Sequence, residues 1–193
     1  MTASRCLALA ALTCGLTASQ PAWTAEGAVV STAAPERTWV AEPRAFLGGA
    51  VPGTNAARVY GGAPDLGVGV AVGHPGARLR WRASFDAQLA LEVPAGASLS
   101  FYRVGLGAAF TWRDHLLTAL DLGPIWRRLS LGDEISNTVL GGSLVAELGW
   151  RFRPDARWAV TLGARGSIAL YPGDYFYWSD VGACLTVERL GRR

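Results

Sequence analysis

From Leu79 to Val93 the chain alternates strictly: Leu79, Trp81, Ala83, Phe85, Ala87, Leu89, Leu91 and Val93 interleave with Arg80, Arg82, Ser84, Asp86, Gln88, Ala90 and Glu92. A helix would scatter the two sets around its circumference, whereas a strand sends them to opposite faces. The pattern recurs over Tyr102–Trp112, Leu116–Trp126, Leu140–Phe152, Trp158–Leu170 and Val181–Val187. Upstream it appears over Leu66–Val72 and, more weakly, Trp39–Val51. The reading predicts eight strands, each with one apolar face. Pro43 and Pro124 fall inside two of them and predict a bulge or a strand limit there.

The connections alternate in character. His74-Pro75-Gly76, Arg113-Asp114-His115 and Pro154-Asp155-Ala156 are short turns. The segments Pro52–Pro64, Gly132–Thr138 and Pro172–Tyr177 are longer, while Pro94–Ala97 is short where a longer loop is expected. An even strand number with alternating short and long connections suits a transmembrane barrel with short periplasmic turns. No later stretch is apolar for the roughly 18 residues that a membrane-spanning helix needs.

The polar faces carry charges that lipid would penalise by about 2–4 kcal/mol each near the midplane. Turned inward they can pair. Counting back from the turns makes Glu147 and Arg165 diagonal neighbours, as it does Asp86 and Arg103. Asp121 approaches Glu147, with Arg165 or Arg151 to offset the repulsion. These six residues predict a charged plug in place of an open channel. Glycines on the same faces leave room for long side chains.

Aromatic residues mark two levels. Trp81, Trp112, Trp150 and Trp158 flank the short turns, and Trp39 joins them. Trp126, Tyr171, Tyr177 and Trp178 lie at the opposite ends, as membrane interfaces select. Trp178 has the inward parity of its strand, so that level rests partly on Tyr177. Loop contacts are expected at Tyr60, Asp133, Glu134, Tyr175 and Tyr177.

Composition narrows the classes further. The chain has 193 residues, half of them apolar and 17% charged, too apolar for a disordered chain. Its formal charge of +3 is spread along the sequence and leaves no nucleic-acid footprint. Arg5 precedes the apolar run Cys6–Leu16 and the small residues Thr17, Ala18 and Ser19, the pattern of a secretory signal peptide. Residues 1–25 are assigned to it, with cleavage after Ser19, Ala22 or Ala25. Residues 26–37 form a flexible segment and 38–193 the barrel. Cleavage leaves Cys184 as the remaining thiol. His74 and His115 both sit at short turns with no serine two residues away, so no catalytic site is expected; the spacing of the three cysteines suits no zinc site, and no cofactor is expected.

On these features the chain resembles the small eight-stranded outer-membrane barrels of Gram-negative bacteria, such as the transmembrane domain of outer membrane protein A. The resemblance spans about residues 39–190 and rests on architecture. It implies an all-β, antiparallel up-and-down barrel in outer-membrane lipid, inserted by the barrel-assembly machinery. That machinery reads a terminal aromatic residue in the family, whereas this chain ends Leu190-Gly191-Arg192-Arg193. The expected role is non-enzymatic, structural or surface-recognition, with the extracellular ligand unknown. A narrow pore for small solutes and a soluble lipocalin-like barrel around an apolar ligand are the alternatives.

Overall fold

In the computed structural model the described residues are 39–191, apart from 54, 95, 114, 133–134, 154–156 and 175–176; of Ile135 only the backbone is described. The signal peptide, the 26–37 segment and the expected contacts Asp133, Glu134 and Tyr175 lie outside them. Eight strands follow in order: β1 Val40–Pro52, β2 Ala63–Gly73, β3 Leu79–Leu89, β4 Ala97–Trp112, β5 Leu116–Leu131, β6 Ile135–Phe152, β7 Trp158–Leu170 and β8 Trp178–Arg189. Each pairs antiparallel with the next, and β8 closes on β1.

Period-two patterning produces this arrangement, since each strand turns one parity outward. Leu47, Val68, Phe85, Leu106, Leu120, Leu148, Leu162 and Leu185, one from each strand, are exposed on the outside. Arg44, Asp65, Asp86, Arg103, Asp121, Glu147, Arg165 and Glu188, again one from each, are buried inside. An apolar belt around all eight strands far exceeds the roughly 300–600 Å² apolar patch of a water-soluble monomer. It is the surface that hydrocarbon accepts. A soluble barrel holding an apolar ligand needs the reverse distribution.

Closure is staggered. Following the ladders from Glu42 through Ala71, Arg82, Gly107, Asp121, Val145, Ser167 and Asp180 returns to β1 at Pro52, ten residues further along. That shear tilts the strands and sets a lumen that side chains fill. Gly107 contributes directly, because a Cβ there would run into the Asp121 side chain and the Leu120 carbonyl.

The connections correct the sequence reading in two places. β3 ends at Leu89 instead of continuing to Val93, where Glu92 adopts φ 57°, so the β3–β4 connection is long. The segment expected to form a long Gly132–Thr138 loop is mostly strand. β5 and β6 run on to Leu131 and from Ile135, a tight hairpin with Gly132 at φ 60°. Neither proline makes a bulge. Pro43 lies just beyond the β1–β8 ladder, which starts at Arg44↔Glu188. At Pro124 the β4–β5 ladder skips between Arg103↔Ile125 and Leu106↔Leu122 and resumes in the same register. The missing donor thus opens a local gap.

Candidate functional site: a charged lumen under an aromatic cap

The inward parity of eight strands brings together side chains far apart in sequence. Deepest, toward the short turns, Arg80 pairs with Glu42, and Arg151 donates to Glu188 at 2.6 Å and to Thr111 at 3.3 Å. In the middle, Arg82 bridges Asp121 at 2.8 Å and Glu147 at 2.9 Å, while Arg44 holds Glu147 at 3.1 Å. Above them Arg103 donates twice to Asp86, at 2.9 and 2.5 Å. Arg165 reaches Asp65 and, at 3.3 Å, Asp86. Every buried arginine among the described residues thus has a carboxylate partner.

The expected pairings are rearranged. Asp86 and Arg103 are directly opposite in the β3–β4 register instead of diagonal, and they bind each other. Glu147 and Arg165 are also directly opposite, yet they bind other partners. Arg82, with Arg44, neutralises Glu147 and Asp121, in place of Arg165 or Arg151. Arg151 sits one level deeper on Glu188. Arg44 and Arg82 carried no distinguishing signal in sequence, because the stagger that brings them to Glu147 is a property of closure.

Above the charges the lumen becomes apolar. Tyr60, Leu99, Phe101, Ile125, Tyr171 and Trp178 are buried together. Tyr60 follows a short 3₁₀ turn at Ala56–Arg58 and is tucked inside, a correction to its expected place as an exposed loop contact. Its ring lies 5.8 Å from Phe101 and stacks at 6.4 Å on Trp178. Tyr171 and Trp178, expected at the membrane interface, point inward into this cap. Trp39, Trp81, Trp112, Trp150, Trp158 and Tyr177 are exposed outside, and Trp126 is half-buried on the outward parity of β5.

Arg127 closes the cap. Its guanidinium lies 4.4 Å from the Tyr171 ring centre and 4.9 Å from that of Trp178. It donates to Asp174 at 2.7 Å, and the Trp178 indole donates to the same carboxylate at 2.6 Å. Burial works to raise the Asp174 pKa. The hydrogen bonds from Arg127 and Trp178 and the adjacent positive charge outweigh it, holding the carboxyl below its ordinary range. Tyr60 and Tyr171 are pushed upward, chiefly by burial.

No family model matches the sequence. No curated protein matches it either. Solved structures are similar in fold. The attachment invasion locus protein Ail of Yersinia pestis, in complex with the heparin analogue sucrose octasulfate, superposes with a TM-score of 0.52. The two are 11% identical over 78% of this chain and 97% of that one. Neisserial surface protein A gives 0.45 at 14% identity, covering 77% and 96%. The N-terminal β-barrel domain of Pseudomonas aeruginosa OprF gives 0.46 at 10%, covering 77% and 95%. By its closed eight-stranded topology, apolar belt and charged interior, the chain has the fold of the small outer-membrane β-barrels.

Proposed function

We propose that this is a non-enzymatic integral protein of the outer membrane, a closed barrel that serves as a structural or surface-recognition element through its outer loops. One observation carries the reading: the lumen is obstructed twice, by ion pairs drawn from all eight strands and by the Tyr60–Phe101–Trp178 cap above them. Side chains that already bind one another leave no continuous polar path for a solute. The two histidines lie at the short-turn end, His74 against Trp39 and His115 against Trp150, and neither is placed as a base beside a nucleophile.

Recognition, where it occurs, falls to the outer connections, with Asp133, Glu134, Tyr175 and Tyr177 as contacts. Ail is described with a sulfated sugar analogue. The outer-loop end of this chain carries Arg58, Arg127 and Arg128 against Glu92, Asp133, Glu134 and Asp174, so it offers a polyanion no basic surplus.

Two measurements test the proposal. Unboiled protein refolded in detergent is expected to migrate differently from boiled protein on SDS gels, and planar bilayers containing it are expected to stay electrically silent. Recovery of folded, monodisperse protein from plain buffer would overturn membrane residence. Steady conductance would replace the closed barrel with a narrow pore.

A further inference from the structure

The two faces of the wall exchange character at the outer end. Over most of the barrel apolar side chains point out and polar ones point in. Where β4, β5 and β6 reach the outer end, Ser98, Ser100, Arg128, Ser130, Ser136 and Thr138 hold the outward parity. The inward parity of the same strands carries Leu99, Leu129 and Asn137 in one row and Phe101, Arg127 and Val139 in the next. Polar outside and apolar inside is the distribution of a soluble barrel that holds an apolar ligand. Here it is confined to the mouth, above the ion pairs.

Against this wall lies a cavity of about 310 Å³. Leu99, Leu129 and Val139 give it apolar walls, with Val59 and Trp178 adjoining them. Its polar groups are few: the Arg127–Asp174 pair and the amide of Asn137, which is exposed at the rim. A Cβ at Gly141 would run into the Tyr171 ring, so this glycine lets the ring lie close against β6, where it seats the Arg127 guanidinium. Apolar walls with a small number of placed polar groups, at a volume of roughly 300–1,000 Å³, are the usual make-up of a small-molecule site.

Charge selects the occupant. Arg127 and Asp174 neutralise each other, and the Asp174 oxygens accept from Arg127 and from the Trp178 indole. An entering carboxylate would meet Asp174 and an entering ammonium would meet Arg127, each giving up water beside a charge already matched. A neutral head meets no such penalty. It can accept from guanidinium N–H groups beyond the two directed at Asp174, and exchange hydrogen bonds with the Asn137 amide. We infer that the outer mouth binds a small uncharged amphiphile, an alkyl chain of about six to eight carbons ending in a hydroxyl or amide. The chain lies on Leu99, Leu129 and Val139, and the head lies at Arg127 and Asn137.

The inference gives a ligand class to the recognition role proposed above and rests on it. Membrane residence stands or falls on the gel shift, whereas the ligand is judged on folded protein alone. Protein labelled with 5-fluorotryptophan is refolded into phosphatidylcholine nanodiscs, and the Trp178 resonance is identified by replacing each exposed tryptophan in turn with phenylalanine. Hexanamide is expected to shift that resonance to saturation at about millimolar concentration, while the interfacial tryptophans respond only linearly as the probe enters lipid. Hexanoate and hexylammonium should bind at least about tenfold more weakly. V139F, which fills the cavity, should abolish the saturable shift, and L140F on the outward face of the same strand should keep it. Where V139F does not fold, N137A at the exposed rim decides, with an expected loss of several-fold in hexanamide affinity. A Trp178 shift that never saturates, equal affinity for either charged probe, or unchanged binding in the folded variant would overturn the inference.

Discussion

Arg165 lies directly opposite Glu147 across the β6–β7 ladder, yet the two do not bind each other. Arg165 turns across the lumen to Asp65 and Asp86, and Glu147 is held instead by Arg44 and Arg82. The interior is thus cross-linked across its width, tying β7 to β2 and β3, and β6 to β1 and β3.

Removing Glu147 should therefore be costly. In E147Q the guanidiniums of Arg44 and Arg82 remain buried with one shared carboxylate gone. Breaking such a site from one side costs about 3–5 kcal/mol. The urea midpoint of the folded gel band should fall accordingly, and the double variant R44M/E147M should recover part of the loss. A single variant as stable as wild type would show that the network contributes little.

Leu106, near the middle of β4 and exposed outside, tests the belt. L106R is expected to lower folding stability in vesicles by about 2–4 kcal/mol. An unchanged stability would mean that this face does not meet hydrocarbon.

Tyr60 tests the cap. Y60A removes a buried ring packed between Phe101 and Trp178, so stability should drop by about 2–4 kcal/mol. Bilayers should nevertheless stay silent, because the ion pairs beneath remain. Current through Y60A would assign the seal to the cap alone.

Acid should release the outer clamp only late. Asp174 has a folded pKa below its ordinary value, which is about 3.9 for an unfolded chain. A carboxylate depressed in this way contributes its full stabilisation above the ordinary value and loses it as pH falls through the folded one. Protease cleavage in the β7–β8 loop should be slow and constant from neutral pH to about pH 5, and faster only below about pH 4. In D174N it should be fast throughout. Loosening of wild type between pH 7 and 5 would refute the clamp.

Strand number and the direction of each face were legible because alternation survives in nearly every strand, as in β7, whose expected and observed limits coincide at Trp158 and Leu170. The upper parts of β4, β5 and β6 were not. There Leu99, Phe101, Ile125 and Val139 face an apolar section of the lumen, so polarity no longer marks the inside. For the same reason Tyr171 could be placed at the right level along the barrel but on the wrong side of its wall, whereas the parity of Trp178 already turned it inward. The partners of Glu147 were hidden for another reason: strand pattern gives parity, whereas who meets whom depends on how the last strand closes on the first.

The ten-residue offset at closure has a consequence for assembly. A β8–β1 seam joined two residues out of step would still present grease outward and ions inward, so lipid would not reject it. It would, however, carry side chains along the seam by about 6.6–6.8 Å. Arg44 of β1 could then no longer reach Glu147 of β6 across its present gap of 3.1 Å, nor could Asp65 of β2 reach Arg165 of β7. The buried charges therefore act as a key that only one closure fits, distinguishing the finished barrel from a mis-stitched one that its exterior alone would accept.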